Sequence, residues 1–378
     1  GGFAVNVSRS SEGASLGGSL GLVVTENTIE DTLRAQISGV TGGNNQEVTL
    51  GSLTINAENE RAIRSQATGD AITIAAGNDQ NPSGALSIGA VDATNTITGD
   101  VISGVDLNNQ VSLNLSGMSD VSSLDLSDVS VFALAVGISA SSGSSSLALS
   151  GGGSGAYNTI TSSVQANLKA KDVKSTASDN ATTKATRLRA ATRTVQSDGT
   201  TTDRQRKIDA TNAAASLAFS WARGGNTGAG AASIGAAVLS NTIQANSAGE
   251  TDAKFVDASI TTNALNTSGS VDISADLGQE IDATSAAVSV ALALSTSGDG
   301  AAIALAGAGA SATNHLLGTS NASINALDAS SAATGTVSAK ALNVTSTTNG
   351  TIDAGVGAGS LGVSYAGDSA PISLAGTI

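Results

Sequence analysis

The sequence predicts an all-β chain, an elongated parallel β-solenoid built from about five degenerate units of about 72 residues. Three observations carry this. The first is a recurring tripeptide: Asn27-Thr28-Ile29, Asn95-Thr96-Ile97, Asn158-Thr159-Ile160 and Asn241-Thr242-Ile243, with Asn314-His315-Leu316 as a drifted fifth copy. The second is an Ile-Asp-Ala landmark at Ile208, Ile281 and Ile352, the first two each 33 residues before an asparagine of the tripeptide. The third is an alternating apolar triplet downstream of each landmark. Leu217, Phe219 and Trp221 match Val290, Leu292 and Leu294, and both match Leu361, Val363 and Tyr365. A fixed period marks a stacked, quasi-one-dimensional fold, and alternation with period two marks strands.

The landmarks set the units near 1–62, 63–123, 124–207, 208–280 and 281–351, with 352–378 a partial sixth. Together they form one continuous segment, 1–378. Both ends fall inside a unit, so the chain reads as a piece of a longer protein. Each unit reads as strand, turn, strand. Short alternating runs such as 111–115 and 271–275 are bounded by Gly, Asn, Asp and Ser, which favour turns. The Ala-rich stretch 301–312 reads as strand because Ile303 and Leu305 alternate and glycines follow at 307 and 309.

Taking ~20–25 residues per coil, a unit makes roughly three coils and the chain rises on the order of 80 Å. On that spacing Asn27, Asn95, Asn158, Asn241 and Asn314 are ~14 Å apart, too far for an amide ladder. Each is expected to satisfy backbone groups locally at a repeat corner. The apolar triplets are expected to form the core ladder. Ala291, Ala293, Ala302 and Ala304 either make a smooth outer strip for rod-on-rod contact or line a flattened interior.

Composition suits a narrow interior. Aromatics are only 2% and charged residues 13%, while glycines number 45 and prolines 2. Little charge and 40% hydrophobic residues speak against disorder. Cysteine is absent, so no disulfide framework or thiolate metal site exists. No apolar run approaches the ~18 residues of a membrane-spanning helix.

One region departs from the repeat. Residues 169–207 hold ten of the 17 basic residues, against four aspartates, whereas the rest of the chain holds 7 basic and 27 acidic residues. This predicts a basic insertion or protrusion. Lys184, Arg187, Arg189, Arg193, Arg204 and Arg206 are its candidate contacts for an anionic polysaccharide or a cell surface. A solvated loop is the plainer reading. Nucleic acid is not expected, because the pI is near 4.3 and no aromatics interleave the charges.

Chemistry has little foothold, and the chain reads as a non-enzyme. The single histidine, His315, replaces the Thr of the tripeptide. Glycine runs such as 151–155 lack the Lys-Ser/Thr and helix of a phosphate loop. No catalytic or cofactor residue is assigned. Calcium is the one ligand the acidic composition leaves open, although both the Gly-Gly-x-Gly-x-Asp nonapeptide and the EF-hand loop are missing.

The succession of Ile-Asp-Ala start, alternating apolar strand, Gly/Ala-Ser stretch and Asn-Thr-Ile corner resembles the repeats of giant bacterial surface proteins of the filamentous-haemagglutinin-like type. The resemblance implies a right-handed parallel β-solenoid, export to the cell surface or matrix, and a structural or adhesive role. Two functions follow as expectations. One is a stiff extracellular fibre that associates with itself end to end or laterally. The other is an adhesin module presenting the basic segment to a glycan or surface receptor.

Overall fold

A computed structural model describes residues 1–39, 46–179, 184–195, 201–223, 228–245, 255–296, 300–327, 335–367 and 370–378, the side chains of 201–203 excepted. Every regular element among them is a β-strand. Alternating side chains drive this: along Asp128–Gly143 every second residue is buried and its neighbours are not. No helix among the described residues is long and apolar enough to cross a membrane.

The third unit shows the path of the chain. A long front strand, Asp128–Gly143, turns into a long back strand, Ser146–Thr161. Two short side strands follow, Val164–Lys169 and Asp172–Ser175, and a short return strand, Thr186–Ala191, leads to the next front strand, Thr201–Ala222. Each unit thus adds strands to the same stacked sheets: one of ten strands holding front and return strands, one of six back strands, and two side sheets of five. Among the described strands, pairing between units is parallel. Arg193–Val195 is the exception, lying antiparallel to the start of Thr201–Ala222.

The register corrects the expected three coils per unit. Asn95, Asn158 and Asn241 are direct partners on adjacent strands, and so are Ile208 and Ile281. One whole unit therefore makes one layer. Six back strands rise only ~24 Å along the stack at ~4.8 Å per strand. A 16-residue strand runs ~50 Å across it. The segment is wider than it is tall, not an 80 Å rod.

Across its width each layer has two differently filled parts. Near the side sheets the interior holds Val, Ile, Leu and Phe255, including Ile97, Leu113, Ile160, Leu188 and Ile260. Toward the front-to-back turns the two long sheets close on an interior of alanine, serine and glycine. There the backbones almost touch. A Cβ on Gly152 would lie 2.3 Å from the Ala215 carbonyl oxygen, and one on Gly89 would lie 2.2 Å from that of Val136. Only glycine permits such contact. Serine hydroxyls pin the sheets together: Ser150 donates to the Gly137 carbonyl at 2.5 Å and Ser289 to the Ser233 carbonyl at 2.7 Å.

This thin interior reverses the expected core ladder. Ala218, Ser220 and Ala222 point inward, as do Ala291, Ala293, Ala302 and Ala304, all of them buried. Leu217, Phe219, Trp221, Val290, Leu292 and Leu294 point outward and are half-buried. Leu361, Val363 and Tyr365 are exposed on the last front strand. The cause is steric, since a gap set by backbone contact has no room for branched or aromatic side chains.

The asparagines are likewise corrected. Asn27 Nδ2 donates to Asn95 Oδ1 at 2.8 Å, Asn95 to Asn158 at 2.9 Å, Asn158 to Asn241 at 2.8 Å and Asn241 to Asn314 at 2.8 Å. An amide ladder spans five layers at the boundary between the thin and wide interiors. Each rung satisfies a buried polar group with the equivalent group of the next layer.

Candidate association surface

The outer faces of the two long sheets carry the large apolar residues that the interior cannot hold. On the front face one column runs Val5, Ile72, Ile138, Leu217, Val290, Leu361, and the next runs Val7, Ile74, Ala140, Phe219, Leu292, Val363. A third column stacks Trp221, Leu294 and Tyr365. Cross-strand neighbours of this kind shield one another, which accounts for their half-burial.

The back face is apolar but sculpted. Its first column alternates large and small: Leu16, Gly84, Leu147, Gly230, Ile303. Beside it stand Gly18, Leu86, Leu149, Ala232 and Leu305. A shallow groove forms where Leu16, Leu86, Leu147 and Leu149 stand around Gly17, Gly18 and Gly84. Leu147 and Ile234 remain 49% and 64% exposed, a heavy cost in water for so many aliphatic groups.

The basic segment has a different structure from the one expected. Its strands Asp172–Ser175 and Thr186–Ala191 are ordinary members of the layer, in register with the units above and below. Its charges face acids of neighbouring layers. Arg187 meets Asp120 at 3.2 Å, Arg193 meets Asp276 at 3.4 Å, and Arg189 meets the same carboxylate at 3.8 Å. Arg204 binds Glu60 at 2.8 Å. Lys184 is exposed. Arg206 is fully buried and so cannot serve as a surface contact. What exceeds the repeat is Arg193–Val195 together with the start of Thr201–Ala222 that pairs with it; residues 196–200 lie outside the described residues.

Arg206 belongs to a buried cluster that the sequence did not reveal. Its Nη2 binds the Asp125 carboxylate and donates to Ser162 Oγ at 2.8 Å. Arg61 Nη2 reaches the same carboxylate at 2.7 Å, and Ser127 Oγ donates to it at 2.6 Å. Burial pushes the Asp125 carboxyl up, but Arg206 and Arg61, with the hydroxyls of Ser127 and Ser162, together outweigh it and hold it below the usual carboxylate range. Arg61, Ser127, Arg206 and Gln279 occupy successive layers at one position, immediately ahead of the residues that align with Asp128. The two arginines sharing that position in the repeat were the available signal.

The Ile-Asp-Ala landmark has a clear place. Asp209, Asp282 and Asp353 stack in register on the exposed front face. His315 is exposed beside the tripeptide column. Among the described residues no group of three or more His, Cys, Asp or Glu side chains converges as metal ligands would. No protein-family model, no curated protein and no solved structure matches this chain.

Proposed function

We propose that the chain is a structural segment of a fibre or cell-surface filament, its layers closing into a right-handed β-solenoid. The observation that supports this best is the unbroken register of equivalent residues from unit to unit, with large apolar side chains on the outside of both long sheets. Stacking supplies stiffness, because each strand is bonded to its equivalents above and below. The outer faces supply lateral adhesion. The apolar part of one long sheet covers roughly 500–600 Å², taking ~3.3 Å per residue and ~4.8 Å per strand. That is the same order as one side of a standard protein interface, roughly 800 Å². Sheets with a common repeat can align column against column, so a second copy is the natural occupant. Export to the bacterial cell surface is the setting that the resemblance to filamentous-haemagglutinin-like repeats suggests.

An adhesin presenting 169–207 is the competing reading. It has less support, since Arg187, Arg189, Arg193, Arg204 and Lys207 are paired with aspartate and glutamate of other layers. The two readings separate in solution. Light scattering and negative-stain imaging of the purified chain should show lateral assemblies, and Leu147→Glu with Ile234→Glu should disperse them without unfolding the protein. A wild-type chain that stays monomeric up to its solubility limit would sink the fibre reading.

A further inference from the structure

Three buried hydrogen-bond donors at one corner of the stack have no acceptor. Among the described residues Arg206 Nε and Nη1 are without a partner, and so is Gln279 Nε2. Arg206 is fully buried and Gln279 is 3% exposed. The two residues are register partners on adjacent layers, so their side chains leave the sheet side by side on its inner face.

Among the described residues only one carboxylate at this corner is fully buried. Arg206 and Arg61 share one fully buried carboxylate, Asp125. Arg61 has a further partner in Asp31, on the solvent side. Arg206 has no second carboxylate among the described residues, only the Ser162 hydroxyl, and its remaining face lies over the Phe255 ring, with Cζ 4.4 Å from the centroid. A ring face eases a guanidinium's burial but takes up none of its edge N–H groups. Beside them the chain passes as bare backbone at Gly318, where a Cβ would sit 3.4 Å from both Gln279 Nε2 and Phe255 Cγ.

We propose that Arg206 and Gln279 hold a small monovalent anion, a halide such as chloride, between two layers of the stack. A buried arginine edge left unsatisfied is expensive, and native proteins fill such places with an ion or a water. Water fits poorly here: it brings two protons of its own to a corner already rich in donors. A halide accepts several N–H groups and donates none. The bound ion acts as a staple between the layers of Arg206 and Gln279.

Two readouts test this on the whole chain. Melting in sodium chloride or bromide should give a higher Tm than in sodium gluconate at equal ionic strength, since a ligand of the folded state alone stabilises it. Gln279→Leu should shrink that difference while leaving a folded protein. Crystals grown in bromide should show an anomalous peak within hydrogen-bond distance of Arg206 Nε or Nη1. Equal Tm in halide and gluconate, with no anomalous peak at the corner, would overturn the proposal and assign the donors to water. The crystal readout stands even where a substitution at Arg206 fails to fold.

Discussion

Asn158 and Asn241 are 83 residues apart in sequence yet share an amide hydrogen bond of 2.8 Å, because one whole unit separates adjacent strands. Asn158 also accepts from Asn95 at 2.9 Å. Its side chain is therefore the middle rung of a buried ladder.

Asn158→Leu should break that ladder at its centre. The Asn95 amide loses its acceptor and the Asn241 carbonyl loses its donor, each orphaned buried group costing about 1–3 kcal/mol. Urea denaturation should show a lower midpoint for this variant than for Asn27→Leu, which cuts only a terminal rung.

Glycine at 152 is demanded by the close approach of the two long sheets. Gly152→Val puts side-chain carbon where the Ala215 carbonyl oxygen already lies 2.3 Å from the Cβ position. The expected loss is at least the 1–3 kcal/mol of ordinary overpacking, roughly. Gly153 is the internal control, as nothing among the described residues lies within 4 Å of its Cβ position. Gly153→Ala should melt within a few degrees of the wild type.

Acid should destabilise the stack through Asp125. Its carboxyl is held below its unfolded-state value, roughly 3.9, because Arg206, Arg61 and the hydroxyls of Ser127 and Ser162 together exceed the penalty of burial. A lowered carboxyl contributes stability that is complete above the unfolded value and is lost as pH falls through the folded one. Unfolding free energy should thus decline below about pH 4. Asp125→Asn should flatten that decline while lowering stability at pH 7, since both guanidinium groups lose their shared charge.

The aspartate column on the front face should behave oppositely. Asp209, Asp282 and Asp353 are like charges on adjacent strands, a repulsive arrangement. Asp282→Asn removes the middle charge and should raise Tm at low salt. The gain should fade as salt screens the flanking carboxylates, which melting at 10 mM and 500 mM salt would reveal. A gain that persists at high salt would point to packing instead of charge.

Much of this architecture was legible in the sequence, and the misses have physical causes. The Asn-Thr-Ile and Ile-Asp-Ala landmarks named residues that are neighbours in space, because parallel in-register stacking puts equal positions side by side. Layer count was not legible, since a period fixes which residues pair but not how many turns lie between them. The faces of Leu217, Phe219 and Trp221 were misread for a related reason. Alternation tells that two faces differ, not which is inside, and here the tight gap admits Ala218 and Ser220 and expels the larger side chains. The excess charge of 169–207 suggested a free basic surface because the sequence conceals Asp120 and Asp276, the acids that neutralise it from other layers. Arg206 reads from the sequence as one of those surface arginines, because the position it shares with Arg61 is visible only once the layers are aligned.

The central claim is that one unit makes one layer. A cross-link between Thr159 and Thr242, register partners at the half-buried outer surface of the back sheet, tests it most directly. The chain has no native cysteine to interfere. With both positions changed to cysteine, their Cα atoms should lie ~4.8 Å apart, within the ~4.4–6.8 Å span a disulfide bridges. Mild oxidation at high dilution should give an intrachain disulfide, seen as a mobility shift without reductant, while each single variant stays reduced. A double variant that keeps two free thiols, as a separation of ~14 Å over three coils requires, would contradict the account.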